Sequence, residues 1–137
     1  MVMFEDIGLF AELTAPERET LAMFCQERLL EAGELLFSEG DDAIAMYVVK
    51  AGSLKVYKER STGSTVLGYV GPGETVGEMA IFGHEPKVRM ASVRAVEPTK
   101  LLVIVDYAIV ELSKKYADLY AKIDAVIERR KAMNAEK

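Results

Sequence analysis

One cysteine and one histidine in 137 residues leave few chemistries open. Cys25 has no partner for an internal disulfide, and no multi-cysteine metal site can be built around it. His84, in a loop beside Gly83, cannot form a histidine-rich centre, which argues against a small metal-dependent β-barrel enzyme. The opening residues, MVMFEDIGLF, lack the basic start and long apolar run of a secretory signal. The apolar run LLVIV at 101–105 is far too short to span a bilayer, so no membrane partner is expected. Positive charge is also scarce: 17 basic against 22 acidic residues give a net charge of −5, and no basic cluster exceeds ERRK at 128–131. Proteins that live on nucleic-acid phosphates present a basic face, so no direct nucleic-acid partner is expected. A single unpaired thiol fits the reducing cytoplasm.

What is present suits one globular domain. Half of the residues are hydrophobic and 28% are charged, spread along the chain. Thr14, Pro16 and Glu17 form a helix start with a capping box. The following spacing predicts a helix over 15–28, with Leu21, Met23, Phe24 and Leu29 on its buried face and Cys25 packed among them. From 34 to 105 short runs rich in Val, Leu, Tyr and Phe alternate with Gly- and Pro-bearing breaks. That texture predicts an all-β sandwich or barrel. STGS reads as a hairpin tip and GPG at 71–73 as a turn that needs positive φ. Beyond Asp106, a plausible N-cap, Ile109, Leu112, Tyr116, Leu119, Ile123 and Val126 form a helical stripe, in two helices or one bent helix. The predicted fold is mainly β with flanking helices. It is a β-roll of the double-stranded β-helix or jelly-roll kind over 31–105, between an N-terminal helical segment (1–30) and C-terminal helices (106–137).

Chemistry concentrates in residues 76–95, VGEMAIFGHEPKVRMASVRA, where an apolar stretch carries Glu78 and Arg89. If GEMAI is one helical turn, its first N–H groups lack internal acceptors and favour an anion. Gly77 removes a side chain from the ligand's approach. Arg89 offers a planar fork of donors suited to phosphate, and Glu78 can accept hydrogen bonds from sugar hydroxyls. The set describes a site for a phosphate fused to a ribose.

GEMAI followed by RMASVRA resembles the phosphate-binding cassette of the cyclic nucleotide-binding domain family, which includes protein kinase A regulatory subunits and the catabolite activator protein. EGDDAIAMYVVKAGSLKVYK (39–58) and GYVGPGETVGE (68–78) are similar to that family's strand hairpin and its lead into the cassette. The resemblance implies that Glu78 binds the ribose 2′-hydroxyl and Arg89 an exocyclic phosphate oxygen. Backbone N–H groups of Met79, Ala80, Met90 and Ala91 would complete the cradle. Val56, Leu67 and Gly68 would line the base or sugar wall, and Arg130 and Asn134 would reach the purine. Met90 stands where cGMP-selective members often have threonine, which points to cAMP, with cGMP the alternative. The loop FGHEPKV departs from the kinase-type pattern in length, its proline lies three residues before Arg89, and Val76 replaces a usual phenylalanine.

The resemblance implies regulatory binding of a cyclic nucleotide without turnover, cofactor or metal, and a C-terminal helix that moves on binding. With the chain ending at Lys137 there is no room for a helix-turn-helix, so either the signal is expected to pass to a separate effector protein or the sequence is a piece of a longer chain. The 3–4 spacing of Tyr116, Leu119, Tyr120 and Ile123 also allows a homodimer seam. The competing reading is an interaction or scaffold module whose pocket has degenerated, with Glu78 and Arg89 merely paired to each other.

Overall fold

The computed structural model describes residues 13–77, 81 and 87–135, with side chains left undescribed at 127 and 130–135. Helix α1 (Ala15–Ala22) starts as its residues dictate. The Thr14 hydroxyl accepts the Glu17 N–H while the Glu17 carboxylate accepts the Thr14 N–H at 2.7 Å. It does not continue to 28. Three successive i→i+3 bonds, from the N–H groups of Met23, Phe24 and Cys25, tighten and close it. Met23 and Leu29 are exposed rather than buried. Strand β1 (Gln26–Leu30) follows at once, so the β-roll begins inside the segment expected to be helical. Pairing with β8 overrides the local helix preference, and only Leu30 of β1 is buried. Glu27 then ties this edge to Lys50 at 3.0 Å and Lys100 at 3.8 Å.

The remaining strands are β2 (Leu35–Phe37), β3 (Ala45–Ala51), β4 (Leu54–Arg60), β5 (Gly63–Val70), β6 (Thr75–Val76), β7 (Ser92–Ala95) and β8 (Thr99–Val105). They form two antiparallel four-stranded sheets, ordered β1-β8-β3-β6 and β2-β7-β4-β5. The hairpin tip falls at Ser61–Thr62, as expected, and Gly73 takes the positive φ of 85° that the GPG turn requires.

β3 is buried on both faces, and its alternation decides where each core sits. Ala45, Tyr47 and Val49 point into the roll with Leu36, Leu54, Val93 and Leu101. Met46 and Val48 point outward, into a cluster with Leu21, Ile81, Ile104, Leu112, Leu119 and Ile123. That second cluster is covered by α2 (Asp106–Lys115) and α3 (Ala117–Ala135), so the stripe is two helices, broken at Tyr116. Asp106 is the first helical residue rather than the N-cap, which is Val105. Its Oδ1 nevertheless accepts the Tyr107 N–H at 2.7 Å. The Tyr116 ring stands edge-on to Phe24 at 6.1 Å, joining the α2–α3 junction to the end of α1. Of the four residues whose spacing allowed a seam, Leu119 and Ile123 are buried in the chain's own core, while Tyr116 is exposed and Tyr120 only partly buried. No helix among the described residues is long and apolar enough to cross a membrane.

Candidate functional site

Two expected site residues meet. Gly77, immediately after β6, has φ +84°, a conformation that L side chains rarely adopt. A Cβ placed there would lie 2.5 Å from Arg89 Nη1 and 3.2 Å from the Ala45 carbonyl oxygen. The glycine is therefore the space that the guanidinium fills. The Ile81 N–H bonds back to the Gly77 carbonyl at 3.4 Å, the i→i−4 link expected of a helical turn beginning here.

Arg89 is buried, with 5% of its surface exposed. Its backbone is fixed by the turn EGDD. The Asp41 carbonyl accepts the Arg89 N–H at 2.8 Å and the Arg89 carbonyl accepts the Gly40 N–H at 2.9 Å. The turn is itself held by Asp41, whose carboxylate accepts the Ser38 N–H at 2.9 Å. At the other end, Nη2 donates to the Ala45 carbonyl at 2.5 Å. The guanidinium carbon lies 4.1 Å from the centre of the Phe37 ring and 5.7 Å from that of Tyr47. Nε is buried and has no hydrogen-bond partner among the described residues. Burial pulls Arg89 below the usual guanidinium value, and the nearby Tyr47 hydroxyl and Asp41 oppose that shift. A guanidinium stays charged under such conditions, so the protein keeps a buried cation with its Nε donor unused among the described residues.

The other expected residues divide. Glu78, Met79, Ala80 and His84 lie outside the described residues. Met90 is exposed at 61% and Ala91 half-buried, both in the bend before β7. Val56 on β4 pairs with Gly68 on β5, and the register skips Leu67, which is the bulged residue and 54% exposed. Arg130 and Asn134 fall on the last turns of α3, and their side chains are among those not described. Cys25 packs against the helical core, and burial pushes its thiol up to about 12. Among the described residues no group of three His, Cys, Asp or Glu could hold a metal. Sequence reasoning missed Phe37, Ala45 and Tyr47. Each reads locally as an ordinary strand residue, and nothing in ELLF or AMYVV says which side chain lies opposite.

The model of the family described as "Cyclic nucleotide-binding domain" matches residues 27–116. The chain belongs to that family. It is 32% identical over 118 residues to the cyclic AMP receptor protein of Thermus thermophilus, covering 85% of this chain and 54% of that protein. It is 27% identical over 100 residues to a cAMP-dependent protein kinase regulatory subunit of Mycosarcoma maydis, covering 72% of this chain and 19% of that one. A solved structure of the N-terminal domain of a transcriptional regulator from Streptomyces coelicolor superposes with a TM-score of 0.87 at 27% identity, covering 98% of this chain and 93% of that chain. The chain thus spans about half of one curated relative and about a fifth of the other. Membership in the family supports regulatory binding of a cyclic nucleotide, and the two β-sheets with flanking helices are the fold that it predicts.

Proposed function

We propose that this single domain is a sensor of a cyclic mononucleotide, cAMP before cGMP, and that residues 76–95 bind its phosphate and ribose. In this reading the Arg89 guanidinium takes an exocyclic phosphate oxygen and Glu78 the ribose 2′-hydroxyl. N–H groups of Met79, Ala80, Met90 and Ala91 complete the cradle. Val56, Leu67 and Gly68 wall the base or sugar, while Arg130 and Asn134 approach the purine from the last helix. The observation that carries it is the buried Arg89, set against a positive-φ glycine with Nε unpartnered among the described residues. A cation left in that condition is costly without an anion to complete it.

Occupancy has a route to the helices. Ile81, inside the cassette, is buried in one cluster with Ile109, Leu112, Leu119 and Ile123. Tightening the cassette around a phosphate therefore changes what α2 and α3 pack against. The response is a shift between helix arrangements, set by how differently they bind the nucleotide, and the mobile helical surface is what an effector protein would read. A homodimer through α3 would use its outward positions, such as Ala121 and Ala125, since Leu119 and Ile123 face the roll.

Thermal unfolding with cAMP, cGMP and a cyclic dinucleotide, on the wild type and Arg89→Gln, tests the reading. At a hundred times the Kd, binding to the folded state adds about 2.7 kcal/mol of stability. A rise in midpoint with cAMP, lost in Arg89→Gln, is expected. No rise with any nucleotide at millimolar concentration would sink the sensor in favour of a relic pocket.

A further inference from the structure

We infer that Phe37 and Tyr47 are positioning residues for Arg89: their rings form a shelf that fixes the plane of the guanidinium before any ligand arrives. The two rings lie 6.1 Å apart, tilted by 32°, and the guanidinium carbon sits over both, closer to Phe37. Neither ring belongs to residues 76–95; they come from β2 and β3, on different sheets. Their meeting at Arg89 is made by the roll itself.

The chemistry of the support matters. A carboxylate could hold the same cation, but it would neutralise it and occupy the donors that an anion needs. No carboxylate of the described residues forms an ion pair with Arg89. An aromatic face attracts the cation through its quadrupole and uses no N–H group. With the guanidinium carbon over the Phe37 ring at 4.1 Å, the contact is made through the π face and consumes no N–H group. One N–H is spent on Ala45, the Tyr47 hydroxyl stands near another, and the Gly77 gap sets how close Nη1 comes to the cassette backbone. An arginine side chain has much rotamer freedom to lose, and losing it in advance favours binding. The link from the shelf to nucleotide affinity rests on the reading proposed above, whereas the shelf itself does not.

The test uses Phe37→Leu, which keeps an apolar side chain of similar reach without the ring, and Phe37→Tyr, which keeps the ring. Calorimetric titration with cAMP should show Phe37→Leu weakened by roughly 3- to 30-fold, the range of one cation–π contact, and Phe37→Tyr close to wild type. Equal affinity of Phe37→Leu and wild type, or equal weakening of both variants, would overturn the inference. A second arm needs no nucleotide. In ligand-free protein the Arg89 Nε–H resonance, assigned by its absence in Arg89→Gln, should be displaced upfield by the ring current of Phe37. It should return to the ordinary arginine position in Phe37→Leu and stay displaced in Phe37→Tyr. An undisplaced wild-type resonance would refute the shelf even if cAMP binds. If no nucleotide stabilises the wild type, the proposed function fails, and this resonance alone decides for or against the shelf. Should Phe37→Leu not fold, the wild-type and Phe37→Tyr spectra carry the decision.

Discussion

Arg89 and Arg94 lie on the same stretch of chain, and each stands beside a glycine of positive φ, yet their surroundings differ in kind. Arg94, on β7, is half-buried. Its Nη1 donates to the Gly33 carbonyl and its Nε to the Tyr57 hydroxyl at 3.4 Å. It ties the turn between β1 and β2 to β4 with the protein's own acceptors. Arg89 is almost wholly buried with its guanidinium carbon over the Phe37 ring, and its Nε is without a partner among the described residues. The glycines differ in the same sense. A Cβ at Gly33 would meet nothing within 4 Å, whereas at Gly77 it would strike Arg89. A structural arginine closes its hydrogen bonds within the fold. In the function proposed above Arg89 is instead kept for a ligand, with Nε the donor left over among the described residues.

Substitutions at the two glycines should separate the sites most strongly. Gly77→Ala combines positive-φ strain of about 1–2 kcal/mol with a contact that displaces the guanidinium, so it should lose both stability and the cAMP-induced rise in midpoint. Gly33→Ala should show the strain alone, with nucleotide response intact, when both are followed by thermal unfolding with and without cAMP. If Gly77→Ala kept the response, the contrast would fail. Removing the structural arginine is the next step down. Arg94→Ala should cost about 1 kcal/mol in urea denaturation and leave cAMP affinity unchanged.

The smallest effect belongs to a surface cation that serves as a control. Lys122 of α3 reaches Glu17 of α1 at 2.8 Å, and this contact, together with the Thr14 N–H, holds the Glu17 carboxyl below the ordinary glutamate value. A carboxylate whose folded pKa is depressed contributes stability above its unfolded value and loses it as pH falls through the folded one. Stability should therefore decline between about pH 4.5 and the lower folded value, and less steeply in Lys122→Met. Identical acid profiles for the two proteins would show that this exposed pair contributes nothing, as many such pairs do.

Most of the architecture was legible because it is local. The capping box, the hairpin tip, the GPG turn and the helical stripe each follow from residues within a few positions of one another. The misread segment is CQERLL, which has no β-branched residue and three polar ones in a row. Its strand state comes from β8, some seventy residues on, and no nearby pattern records that partner. The site divides in the same way. Gly77 and Arg89 stood out because a glycine and a buried charge violate their apolar neighbourhood. Phe37 and Tyr47 conform to theirs, so only the meeting of β2, β3 and the segment before β7 reveals what they touch.

The double burial of β3 also bears on how this sequence can vary in length. One residue inserted just before Ala45 would exchange the strand's two faces, sending Met46 and Val48 into the roll and turning Tyr47 away from Arg89 toward the helices. Both cores and the surroundings of Arg89 would be misframed by a single codon. Slack exists further along the chain, at the exposed Ser61–Thr62 tip between β4 and β5, which lies outside the paired register. Natural or engineered insertions should collect at that tip, and the seven residues from Ala45 to Ala51 should keep their count.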